Sequence, residues 1–119
     1  MRQPLVYVVT LSWNSASDTL ACLKSLSGLN FGNKRLLLVD NGSTDGTPRE
    51  VAQRMPHVEM IVNETNLGFA AGCNVGLRHA LDEGADHVLL VNNDIEIHPD
   101  ALRHLLSLAA RDVGMVGPK

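Results

Sequence analysis

The sequence predicts a single α/β domain in which three layers, αβα, are built around a mostly parallel sheet of four to five strands. Four short apolar runs, residues 5–11, 36–39, 58–62 and 87–91, alternate with segments patterned as helices, an order that builds crossover units. The first, second and fourth runs are nearly continuously apolar, as parallel strands covered on both faces require. At 119 residues the chain is long enough for one real core and too short for two ordinary ones.

Each element has its own signals. The run 5–11 follows Arg2 and mimics a short signal peptide, but Ser12 and Asn14 break it and no small-residue cleavage pattern follows, so it reads as a strand. In helix one, Ser15 and Asp18 are spaced like a capping box, Leu20, Leu23 and Leu26 share a face, and Gly28 stands near the stop. Helix two is expected to start with Thr47 as cap, Pro48 in the first turn and Glu50 as the reciprocal partner. Helix three is expected to bury the stripe Cys73, Leu77 and Leu81 and to end at Gly84. A fourth helix is expected from Pro99, burying Leu102, Leu105, Leu106 and Ala109, and a fifth strand over residues 113–116.

Composition narrows the function classes. Hydrophobic residues make up 45% and charged residues 19%, which suits a globular chain and excludes a disordered one. A net charge of −3 leaves no basic footprint for nucleic acid or an anionic membrane surface. No apolar stretch approaches the roughly 20 residues needed to span a bilayer. Cys22 and Cys73 form no C-x-x-C and read as buried thiols of a reducing, cytoplasmic compartment. The five histidines show no metal-ligand spacing and are expected to be solvated. No G-x-S-x-G elbow is present, and the glycines at 68, 72 and 76 lack the dinucleotide-binding spacing. Residues 40–46 fail the spacing of a calcium loop.

In open parallel sheets ligands bind beyond the carboxyl ends of the strands. Here those tips read Ser12-Trp13-Asn14, Asp40 to Gly46, Asn63 to Gly68, and Asn92-Asn93-Asp94: all four are polar, and none contains Lys or Arg. A phosphate brought about 4 Å from Asp94 would be repelled by about 4 kcal/mol at an effective dielectric of 20, so a cation must intervene. Oxygen-rich Asn-Asn-Asp suits a hard divalent ion bridging a diphosphate, although the same triplet can serve as a local turn. Asp40 can accept from the ring NH of a ligand or from its own loop in an Asx turn. Trp13 reads as core filler or as a wall beside the ligand. Asp45 reads as structural, placing negative charge where the helix-two dipole favours it.

The segments Thr10-Leu11-Ser12-Trp13-Asn14, Val39 through Thr47, Asn66 through Gly76 and Leu90 through Asp94, in this order, resemble family 2 glycosyltransferases, especially the bacterial rhamnosyltransferase-like branch, over nearly the whole chain. The resemblance implies a GT-A fold of which residues 1–119 form the Rossmann-like αβα half, a nucleotide-diphosphate sugar donor, a divalent metal (Mg or Mn), and inversion at the anomeric carbon. It implies a nucleobase against Leu11 and Trp13, with Asn14 in the same donor-binding loop. Asp40 would receive the ring NH of uracil or thymine, which favours UDP- or dTDP-linked donors. Asn66, Gly68 and Asn74 match positions lining the donor pocket. The family's D-x-D element falls on Asn92-Asn93-Asp94, with Asp94 as metal ligand and Asn92 offering a neutral carbonyl in place of the first acid.

No residue matches the family's catalytic base, which is expected beyond Lys119 together with the acceptor half and any membrane association. The alternative from a different class is a catalytically inert association module that pairs copies through exposed sheet surface. A nucleotidyltransferase is disfavoured because residues 12–17 carry no basic side chain.

Overall fold

The structure is a computed structural model that describes residues 4–94, 99–100 and 114–116. The elements follow in the order β1 (Val6–Ser12), α1 (Ala16–Ser27), β2 (Lys34–Asp40), α2 (Thr47–Arg54), β3 (Glu59–Val62), α3 (Phe69–Asp82), β4 (His87–Asn92) and β5 (Gly114–Val116). The sheet order is β3-β2-β1-β4-β5, and every pairing is parallel. The expected fifth strand is therefore present, whereas the expected fourth helix, with Leu102, Leu105, Leu106 and Ala109, lies outside the described residues.

The sheet is covered on two faces because β1, β2 and β4 are apolar on both. Val6, Val8, Leu36, Leu38, Leu89 and Val91 pack with Leu23 and Leu26 of α1 and Val51 of α2. Tyr7, Val9, Leu37, Val39, Val88 and Leu90 pack with Cys73 and Ala80 of α3. Each such Leu or Val, fully buried, contributes roughly 1.5–3 kcal/mol. The helices change face because the chain first winds outward from β1 to β3 and then returns to β4. With right-handed crossovers that reversal puts α3 on the opposite face and makes the β1/β4 boundary the topological switch point.

Two expectations are corrected. Leu81 is 61% exposed, and the stripe that α3 buries is Gly72, Cys73, Gly76 and Ala80. The reason is distance: a Cβ on Gly76 would lie 2.6 Å from Val9 Cγ1, so the helix sits too close to the sheet for large side chains along that line. The cap of α2 is Gly46, in the left-handed conformation at φ 85°, and not Thr47. The Thr47 hydroxyl and N–H both donate to Asp45 Oδ1, and the hydroxyl bond holds the Asp45 carboxyl below its ordinary pKa. Asp45 is thus structural, as expected. Ser15 is the α1 cap residue, but its side chain makes no capping bond and is used elsewhere.

Candidate functional site

The register brings the strand tips to one rim. Ser12 stands opposite Asp40 across β1 and β2, and Leu11 stands opposite Asn92 across β1 and β4. Beyond them opens a cleft of about 410 Å³ walled by Leu11, Ser12, Trp13, Asn66, Phe69, Asn93 and Asp94, with Asp18 of α1 and the cap residue Ser15 at its side. Among the described residues that line it none is Lys or Arg, so the cleft presents two carboxylates and several amides. Trp13 is 53% exposed: a cleft wall and not core.

The loops are held by a polar network. Asp40 is fully buried, and its carboxylate takes three bonds: Oδ1 from the hydroxyls of Ser12 (3.0 Å) and Ser43 (2.7 Å), Oδ2 from the Ser43 N–H (2.8 Å). The Asx-turn reading is realised, and the carboxylate is turned into its own loop. Asn14, at φ 48°, accepts from the Thr44 N–H through Oδ1 while its own N–H donates to Ser43 Oγ. That pair fastens the first tip to the second. Asn93 Nδ2 donates to Ser15 Oγ (2.7 Å) and Thr19 Oγ1 (3.2 Å), which ties the fourth tip to α1 and leaves Asn93 Oδ1 as an acceptor for a ligand. Asp94 and Asn92 are exposed.

Not every expected residue converges. Asn74 is exposed on α3 and borders a separate surface depression with Leu67, Ala71, Val75 and Arg78. Gly68 contributes backbone: its carbonyl accepts from Asn41 and its N–H donates to Asn66. Asn41 itself is a buried junction that sequence reasoning passed over, as are the wall residues Phe69 and Asp18. The available signal for Asn41 was its place directly after a strand-end aspartate, where the chain must turn.

Cys22 lies behind the Asn-Asn-Asp tip, its thiol 3.6 Å from the Asn92 carbonyl, and neither Cys22 nor Cys73 is in a disulfide. Burial pushes the Cys22 thiol up from 9.0 to about 11, with the negative charge of Asp94 adding to the rise. A raised folded-state pKa means that the folded form retains the proton. The stability Cys22 contributes is therefore full below about pH 9 and is lost as pH rises through about 11. The stability advantage of the native chain over Cys22→Ala, measured by urea denaturation, is expected to be constant from pH 7 to 9 and to shrink towards pH 11. A constant difference across that window would contradict the burial of the thiol.

A second group of metal-ligating type, Glu59, His79 and Glu83, lies at the opposite, amino-terminal end of the strands. Arg35 is the cation there, 3.9 Å from Glu59 and 3.4 Å from Glu83, and it also donates to the Tyr7 hydroxyl. His79 is not simply solvated as expected: it meets Glu59 at 3.1 Å, and its ring stands edge-to-face with that of Tyr7, centroids 5.9 Å apart. This cluster is a structural ion network and is remote from the cleft.

Residues 7–119 match the family model for glycosyl transferase family 2. The chain belongs to glycosyl transferase family 2. A relative, the N-acetylglucosaminyl-diphospho-decaprenol L-rhamnosyltransferase of Mycobacterium tuberculosis, is 33% identical over 121 residues, covering 93% of this chain and 39% of that protein. Among solved structures, the mannosyltransferase PcManGT from Pyrobaculum calidifontis, in complex with GDP-Man and Mn2+, superposes with a TM-score of 0.79 at 25% identity, over 92% of this chain and 33% of that one. S. aureus TarS 1–349 in complex with UDP gives 0.75 at 26% identity, over 87% and 31%. The fold is that of GT-A glycosyltransferases, and this family 2 chain spans well under half the length of the relatives it matches. The oxygen donors at the fourth tip, Asp94 with Asn92 and Asn93, fit the hard divalent ion that the fold implies. No helix among the described residues is long and apolar enough to cross a membrane.

Proposed function

We propose that this chain is the donor-binding part of an inverting glycosyltransferase, which holds a nucleotide-diphosphate sugar through a divalent metal while an acceptor hydroxyl displaces the nucleoside diphosphate. The observation that carries this reading is the convergence of four strand tips on one cleft that offers carboxylates and amides but no described basic side chain. The complexes of PcManGT with GDP-Man and Mn2+ and of TarS with UDP support it.

In this reading Leu11 and Trp13 flank the base and Asn14 holds their loop against the second tip. Asp40, fully buried, shapes the same wall by holding Ser12 and Ser43, and the preference for UDP- or dTDP-linked donors rests on the family resemblance of its position. Asn66 and the Gly68 backbone line the donor side, with Asn74 contributing where the ligand extends over α3. Asp94 ligates the metal, with Asn92 and Asn93 supplying neutral oxygens to it or to its waters. When bound, Mg or Mn would stabilise charge on the leaving diphosphate. The catalytic base and the acceptor site are assigned to the part of the relatives' length that this chain does not span, as is any membrane association. Free, buried Cys22 and Cys73 support a cytoplasmic setting.

Titration of the chain with UDP, dTDP and GDP, with and without Mn2+, tests the proposal through Trp13 fluorescence and the backbone amides of Asn93 and Asp94. Metal-dependent perturbation by at least one nucleotide, reversed by EDTA, is expected. Failure of all three would overturn the reading. A metal-independent dimer in sedimentation, with no nucleotide response, would instead favour the association module, pairing through the β3 edge where Val62 is exposed.

A further inference from the structure

Asn41 is 2% exposed and carries four hydrogen bonds on one carboxamide. Its Nδ2 donates to Asn66 Oδ1 (3.0 Å) and to the Gly68 carbonyl (3.1 Å). Its Oδ1 accepts from the Leu67 N–H (3.0 Å) and from Asn63 Nδ2 (3.2 Å). Two donations and two acceptances are the full capacity of an amide side chain. The backbone partners fix which end is which, because the Leu67 N–H can only donate and the Gly68 carbonyl can only accept.

That orientation propagates outward. The Nδ2 of Asn41 must meet an acceptor, so Asn66 turns Oδ1 inward, where it also takes the Gly68 N–H at 2.8 Å. The Nδ2 hydrogens of Asn66 are thereby left on an exposed side chain that lines the cleft. Among the described lining residues, with two carboxylates and no Lys or Arg, the sense of this amide decides whether Asn66 presents a donor or one more acceptor to an anionic ligand.

We propose that Asn41 is a positioning residue that sets the hydrogen-bond polarity of the cleft, holding the Asn66 amide with its NH2 outward for the acceptor oxygens of a nucleoside diphosphate. The proposal rests on the donor-binding reading above. It assigns Asn41 an effect through Asn66 and not through general stability.

A double-mutant cycle on affinity for UDP in Mn2+ separates the two, run below the thermal midpoint of every variant. Asn41→Ala and Asn66→Ala are each expected to weaken binding about tenfold, and the double variant no further than either single one. Additive losses, or native affinity in Asn41→Ala, would overturn the proposal. Where Asn41→Ala fails to fold, Asn41→Asp takes its place: its carboxylate accepts where Asn66 Oδ1 needs a donor, so it too should weaken binding in the native background and be silent beside Asn66→Ala. Asn66→Asp supplies a variant that keeps both inward bonds. It removes the donor from the cleft and should bind at least tenfold more weakly with an unchanged thermal midpoint. Native UDP affinity in Asn66→Asp overturns this proposal alone, whereas a native chain that responds to no nucleotide overturns the donor-binding reading and this inference with it.

Discussion

Asp94→Asn is expected to weaken nucleoside diphosphate binding in Mn2+ about 100-fold while leaving the fold unchanged. Asp94 is exposed, so its replacement by an isosteric amide removes no packing, and stability should move by no more than about 0.5 kcal/mol. Its charge is what matters. One carboxylate about 4 Å from a cation is worth about 4 kcal/mol at an effective dielectric of 20, and solvent at the cleft mouth screens part of that. A loss of about 2.7 kcal/mol, about 100-fold in affinity, is the result. Isothermal titration with and without Mn2+ reads it directly. The Cys22 thiol provides an internal control, since Asp94 contributes to its raised pKa. The variant should bring that titration down even in the absence of nucleotide. Undiminished metal-dependent binding in Asp94→Asn would remove Asp94 from the proposed metal site.

The second large effect is on stability. Gly42 and Gly46 share nearly the same left-handed backbone, φ 83° and 85°, but their surroundings differ. A Cβ on Gly42 would stand 2.7, 2.8 and 2.9 Å from the Thr65 carbonyl carbon, Thr65 Cα and Asn66 nitrogen, whereas one on Gly46 would meet nothing within 4 Å. Gly46→Ala should therefore cost only the conformational strain, about 1 kcal/mol. Gly42→Ala adds overlap with main-chain atoms that have no rotamer to adopt, for a total of about 3 kcal/mol and roughly 10 °C in thermal midpoint. The displaced segment is the one Asn41 holds, so nucleotide affinity should fall in Gly42→Ala and be retained in Gly46→Ala. Urea denaturation of the two variants side by side makes the comparison, and equal destabilisation would show that the close approach to Thr65 is unimportant.

Much of the fold was legible because its signals are local. Near-continuous runs of Val and Leu mark strands buried on both faces, and β1, β2, β3 and β4 fall within a residue or two of the expected segments. The helix-one face of Leu20, Leu23 and Leu26 and the stop at Gly28 likewise follow from spacing alone. The misassigned stripe of α3 involves a partner distant in the chain, whereas the misassigned cap of α2 reflects competition between close neighbours. Leu81 has the right spacing for a buried stripe, yet Gly76 lets Val9 approach so closely that the helix rolls onto its small residues and leaves Leu81 in water. Thr47 has the composition of a cap, yet its hydroxyl finds Asp45 and Gly46 takes the cap position.

The amino-acid sequence by itself determined the alternating order of elements, the parallel sheet, the polar tips without basic side chains and, through four ordered segments, the family. The tertiary structure alone decided how those polar groups are used: Asp40 turned into its loop, Asn14 and Asn93 fastening tips to their neighbours, Asn74 set apart from the cleft, and Asn41 saturated by partners 22 to 27 residues away. The division has a physical cause. Periodicity and capping depend on neighbours along the chain, which the sequence prints in order. The satisfaction of a buried amide or carboxylate depends on which loops the sheet register brings within about 3 Å of it, and that is set only when the strands have paired.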